Sequence, residues 1–329
     1  MVTTRQVTRG VFRTMRAMDR AAKQAERQRA ARQQALHRQA HLDASAAAAA
    51  EHEEVLEALT GAHRVSVARR DWRTTATRAL LPEPERRADA ERAANEALAG
   101  FQPGWFTRVT RREEKVRRSL EDAVKAGCDR DQADHRARLV AVMAENERIG
   151  TAQRVVERDP DALIQALEEH SALGSLPFSV EGIDTMFIDD RVIAIVDGLD
   201  LEDMPTESIT LLKSGKASVK PIAVGRRQEI HRDAICSAAV RVALEFLSTL
   251  PIQEVEVLML TDILDRGTGH IAAEPVLHLR VTVQALQALN LARTEASALV
   301  DRLGGHLEWT KRDGFRAINA AALGIELAS

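Results

Sequence analysis

Two periods of apolar and polar residues divide the chain. From Thr4 to about Leu59 the spacing is helical. Val7, Val11, Met15, Met18 and Ala22 fall on one stripe, about half a turn away from a second stripe of Arg5, Arg9, Arg13, Arg16, Arg20, Lys23 and Arg27. No proline occurs in this stretch and Gly10 is the only glycine, while Ala, Arg, Gln, Glu and Leu fill most positions. One long helix, or two stacked ones, is therefore expected, ending at Gly61. Further helices are expected at about 64–80, from Pro84 to about Ala99, at 106–126, and at 129–157 with Val140, Met143 and Ile149 in a buried stripe. Asp159-Pro160 reads as an N-cap followed by a first-turn proline, opening a short helix to His170. "GFQPGWF" reads as a turn.

Beyond Pro177 the pattern changes to β-branched and apolar runs of strand length. "SVEGIDTMFIDD" and "RVIAIVDGLDL" are expected to pair through a turn at Asp189-Asp190. "ESITLLKSGKASVKPI" is a third strand that could fold on itself at Ser214-Gly215. A helix follows over 226–249, with Ile230, Ala234, Ile235, Ala238, Val242 and Leu247 near a 3.6-residue period. "VEVLMLTDIL" and "PVLHLRVTV" are further strands, and "RTEASALVDRL" is a helix before a frayed tail. The predicted class is α+β: an extended, coiled-coil-like helical domain at 1–172, a mixed α/β domain at 173–320, and a tail at 321–329.

Charge sharpens this division. The net charge is −3, yet residues 1–42 hold ten Lys/Arg against Asp19 and Glu26, a local +8. Asp43, Glu51, Glu53, Glu54 and Glu57 follow, with no Lys or Arg between 39 and 63. Opposite charge at the two ends of one helix suits antiparallel pairing or head-to-tail association. Two cysteines, Cys128 and Cys236, supply no disulfide framework and point to a reducing cytoplasm. No stretch has the roughly 18 uncharged apolar residues that span a bilayer. The Arg- and Ala-heavy usage has a bacterial character. Aromatic residues are 3% with no tyrosine, so a basic stripe with only Phe12 for stacking does not indicate base-specific readout.

The second half, read in order as α-β-β-β-α-β-β-α, is similar to the αβββαβ core of the restriction-endonuclease-like PD-(D/E)XK superfamily. "GLDLEDMP", "ASVKPI", "LEFLSTLP", "VEVLML", "GTGH" and "TKRDGF" also resemble the C-terminal region of a group of uncharacterised bacterial proteins, over about residues 178–318. The nuclease resemblance implies a divalent-metal site, with Mg2+ or Mn2+ held by carboxylates and a lysine polarising the attacking water. Asp197 would take the first acidic position and Lys220 the lysine. Ser218 stands where the second acid belongs, so Glu229, or Asp233 one turn on, would have to supply it from the next helix. Asp184 is a weaker candidate on the first strand. In this reading Asp197, Lys220 and Glu229 are catalytic, and Asp197 and Glu229 hold the metal.

Plainer readings stand beside these. Asp197-Gly198 is an ordinary strand ending, Glu229 and Asp233 a solvated helix face, and His231 and His270 surface or loop residues. Cys236 falls on the apolar side of its helix as a buried thiol. "SGKAS" lacks the glycine spacing of a phosphate loop. The leading expectation is a cytoplasmic bacterial assembly or adaptor protein that self-associates or binds a protein through its helical half. It would carry non-specific nucleic acid on the basic stripe, with a role in phage defence by analogy. The alternatives are a nuclease with a degenerate metal motif and a peripheral membrane protein anchored by residues 2–22.

Overall fold

A computed structural model describes residues 4–103, 112–176, 180–188, 191–264 and 267–325, apart from the side chains of 4–28, 175, 180 and 181. The expected turn at Asp189-Asp190, part of "GFQPGWF" and the side chains of the basic stripe from Arg5 to Arg27 lie outside the described residues. The fold is α+β with a mixed sheet. The chain forms two compact units, one of residues 1–66, 174–244 and 254–329, the other of 67–173 and 245–253. Relative to a division at 172/173, residues 1–66 therefore group with the sheet.

In the first unit, the opening segment is one helix, α1 (Thr4–Thr60), consistent with its run of strong helix formers. Strands β1 (Val180–Ile188) and β2 (Arg191–Gly198) pair antiparallel. Then β3 (Glu207–Leu211) and β4 (Ala217–Pro221) fold back on each other as a separate two-stranded ribbon. The expected fold-back at Ser214-Gly215 is made by Gly215 at φ 78°, a left-handed conformation that glycine adopts without the Cβ penalty. After α6 (Val224–Thr249), β5 (Glu254–Leu264) lies parallel to β2 and antiparallel to β6 (Ile271–Thr282). The sheet order is β1-β2-β5-β6-β7-β8, closed by the short β7 (His306–Thr310) and β8 (Gly314–Arg316). The expected third strand is thus absent from the sheet, and β5 occupies the place beside β2.

The central strands β2 and β5 are covered on both faces, which explains their nearly unbroken apolar sequences. On one face Ile193 and Leu258 pack with Ile318, Ala320 and Ile325. The expected loose tail at 321–329 therefore contributes to the core through its described part: Ile325 is 1% exposed and Leu323 packs beside it. The opposite face meets α6. At Gly198 the approach is so close that a Cβ would lie 2.5 Å from Ile235 Cδ1. Helix α6 is buried over nearly all of 234–243, Cys236 included, rather than along a single stripe. Burial pushes the Cys236 thiol pKa up, so that side chain is an inert apolar filler. A third cluster joins α1 to the same helix through Leu59, Met204, Ile230 and Ala234.

The second unit departs further from expectation. No helix spans 64–80. Only α2 (Trp72–Ala76) forms there, capped by Asp71, whose carboxylate accepts the Thr74 N–H at 3.0 Å. The preceding residues form no regular element, and their polar groups bond elsewhere: Arg70 N–H donates to Ser248 O (2.8 Å) and the Arg69 guanidinium to Ile252 O (2.7 Å). The segment after α2 is clamped by Asn146, which accepts from Leu81 N–H at 2.7 Å and donates to Leu81 O at 2.9 Å. α3 (Asp89–Ala99) packs on α4 (Glu113–Val156), a single helix where two were expected, with α5 (Pro160–His170) following as predicted. Asp131 of α4 caps α3 from outside, accepting from the backbone N–H groups of Ala90 and Glu91 at 3.2 and 2.9 Å. Of the expected stripe only Ile149 is buried. Val140 and Met143 are 65% and 61% exposed.

Candidate functional site

The three residues of the metal-site reading do not converge. Asp197 is the penultimate residue of β2, where its neighbours across the sheet are Gly182 of β1 and Leu260 of β5. Strand alternation puts it with Ile193 and Ile195 on the face away from α6. Lys220 is on β4, opposite Ser208 in the separate ribbon, so the strand pairing that would bring it beside Asp197 does not exist. Glu229 is on α6, with both carboxylate oxygens engaged, one by Lys311 Nζ at 2.6 Å and the other by Arg226 at 3.0 Å. Those two cations, Lys311 first, hold its pKa below the usual carboxylate value. Asp233 is likewise taken, by Arg232 at 2.8 Å. Among the described residues no group of three His, Cys, Asp or Glu side chains is arranged to hold a metal ion.

Asp197 instead belongs to an acidic knot at the carboxyl ends of the parallel strands β2 and β5. Partial desolvation, reinforced by the nearby Asp200 and Asp262 carboxylates, raises its pKa above the normal value. Asp200 is the organiser: its Oδ1 accepts from the Thr261 hydroxyl and from Asp262 N–H, both at 2.7 Å. The Asp203 carboxylate in turn accepts Asp200 N–H at 2.9 Å. His231, expected at the surface, is 3% exposed. Its Nε2–H donates to Leu199 O at 2.8 Å, and its ring meets Phe315 edge-on with centroids 5.2 Å apart. Burial lowers its pKa, which suits a neutral donor fastening α6 to the loop after β2. A cleft of about 810 Å³, lined by Asp200, His231, Thr261, Asp262, Arg312 and Phe315, opens here. Ligands of α/β folds commonly bind at such strand ends, but Asp200, Thr261 and His231 are already committed to one another or to backbone.

A different surface is exposed. Residues 29–41 of α1, including Arg29, Arg32, Leu36 and Arg38, are exposed around the full turn of the helix, with Leu36 at 70%. Farther along, α1 meets the β3-β4 ribbon and α6. There Ala46, Ala49 and Ala50 face Ile209, Leu211 and Ile222 across a groove of about 750 Å³. Leu211 is 49% exposed, and Asp43, Glu51, Glu53 and Glu54 are exposed on the same stretch of helix. Charge alternation along α1 was legible in the sequence. The groove was not, since it needs the ribbon to leave the sheet. His270 is exposed as expected. No helix among the described residues is long and apolar enough to cross a membrane. No protein-family model, curated protein or solved structure matches this chain.

Proposed function

We propose that this chain is a cytoplasmic bacterial assembly or adaptor protein, in which the forward part of α1 is the interaction element and the mixed sheet is the body that anchors it. The observation carrying this reading is the contrast within one continuous helix: Leu59 is buried in a core cluster, whereas 29–41 meet solvent on every side. Most helices in proteins are stabilised by packing an apolar face, and a helix polar all round is typical of elements that bridge to something else. The exposed Val140 and Met143 on α4 offer a second apolar contact of the kind partners cover. Engagement of Glu229 by two cations and the placement of Lys220 outside the sheet weigh against the nuclease reading.

The test is association of the full chain against a chain lacking residues 1–41, followed by light scattering and by cross-linking to a co-purified partner. Association lost on deletion, with the thermal midpoint unchanged, is the expected result; association that survives deletion refutes the arm as the interaction element. A second reading, backbone-directed nucleic-acid binding, is favoured by the exposed Arg29, Arg32 and Arg38 continuing the basic run. It predicts duplex binding that weakens by a factor of about 10³ or more between 50 and 200 mM salt. Binding of unchanged strength across that range would remove it.

A further inference from the structure

We infer that the groove between the acidic part of α1 and the β3-β4 ribbon receives the basic N-terminal part of α1 from a second copy of this chain, so that two copies pair antiparallel with each end contacted twice. This rests on the assembly reading above and names its partner. Three observations carry it. The groove is lined by small and apolar side chains, Ala46, Ala49 and Ala50 against Ile209, Leu211 and Ile222, leaving about 750 Å³ open beside the helix. The surrounding helix surface is acidic, with Asp43, Glu51, Glu53 and Glu54 exposed; of the described residues lining the groove only Arg226 is a Lys or Arg, and it is occupied by Glu229 at 3.0 Å, while the exposed Lys213, Lys216 and Lys220 of the ribbon lie outside the lining. The complementary element exists in the same sequence: residues 5–27 carry seven cations on one stripe and Val7, Val11, Met15 and Met18 on another.

Geometry makes the pairing reciprocal. A helix of 57 residues is about 85 Å long. An antiparallel pair related by a twofold axis between residues 30 and 31 overlaps along almost that whole length. It sets Met15 across from Ala46 and Val11 across from Ala50, large side chains against small ones, as interdigitated helices require. The same register brings Arg9 and Arg13 within a turn or two of Glu51, Glu53 and Glu54 at both ends. Parallel pairing would instead place like charges side by side.

Charge reversal in two sets tests this. One variant carries Arg9→Glu, Arg13→Glu and Arg16→Glu; the other carries Glu51→Arg, Glu53→Arg and Glu54→Arg. All are swaps between good helix formers, so circular dichroism should be unchanged. Light scattering at low salt should give a dimer for the full chain and raise its dissociation constant by about tenfold or more for either variant alone. Mixing the two variants should restore a heterodimer, because each then presents to the other the charge it lost. Restoration supports the pairing. Unchanged dimerisation in both variants, or failure of the mixture to reassociate, overturns it. If self-association needs residues 1–41 yet ignores both reversals, the pairing falls and the assembly reading stands. A monomeric full chain overturns the pairing, and with no partner retained on the arm the assembly reading falls too.

Discussion

Replacing Trp72 with alanine is expected to destabilise the unit of residues 67–173 and 245–253 by about 3–5 kcal/mol, the range for deleting a buried aromatic side chain. Trp72 is 4% exposed, its ring lies under the Arg70 guanidinium at 4.7 Å and beside the His170 ring at 5.5 Å, and its Nε1–H donates to Thr249 O. It joins the start of α2 to the segment at 248–252, where Arg69 and Arg70 also bond. Trp72→Phe keeps most of the buried area and removes the donor, leaving Thr249 O without it. That variant should cost about 1–2 kcal/mol. Urea unfolding of both variants separates packing from hydrogen bonding. Equal losses would mean that the indole N–H, not the ring, dominates.

Glu256→Gln is expected to cost about 2–3 kcal/mol, less than the usual figure for breaking a buried pair because Arg191, 32% exposed at its side chain, can still reach water. Glu256 is 3% exposed on the sheet face covered by residues 318–325. Its two oxygens accept from Arg191 at 2.7 and 2.6 Å, and His278 Nε2 lies 3.0 Å from one of them. Arg191 also donates to Leu323 O, so the same cation holds the C-terminal segment. The Arg191 hydrogen bonds, with a smaller share from His278, lower the Glu256 pKa in the folded protein. A carboxylate with a depressed folded pKa stabilises fully above its unfolded value, near 4.3, and loses that contribution as pH falls through the folded one. Wild type and Glu256→Gln should therefore differ most at neutral pH and converge in strong acid. A gap that stays constant from pH 7 to pH 2 would show that the ion pair is not its source.

Much of the local structure could be read directly. The unbroken α1 follows from proline-free helix formers, its end from Gly61, the start of α5 from Asp159-Pro160, and the ribbon turn from Gly215. The failures have one cause in common. At 64–80 helical propensity lost to backbone groups far along the chain, Ser248 and Ile252, which satisfy Arg70 and Arg69. The periods expected at 106–126 and 129–157 meet within one helix, and Gly127 at their junction is where α3 approaches: a Cβ there would lie 2.8 Å from Ala90 O. Val140 and Met143 repeat with Ile149 but turn to solvent, since periodicity says which residues share a face and not whether anything covers it.

The candidate site divides in the same way. Sequence alone determined the α+β class, the two-signed charge of the first helix and the apolar character of β2, β5 and α6, because these depend on side chains a few residues apart. Only the tertiary structure decided that β3 and β4 leave the sheet, that the strand of Asp197 pairs with β1 and β5 rather than with the strand of Lys220, that His231 is buried against Phe315, and that residues 318–325 complete the core. Each of those outcomes turns on which strand pairs with which. Strand pairing is settled by burial and hydrogen-bond satisfaction between segments tens of residues apart, about which local pattern carries no information.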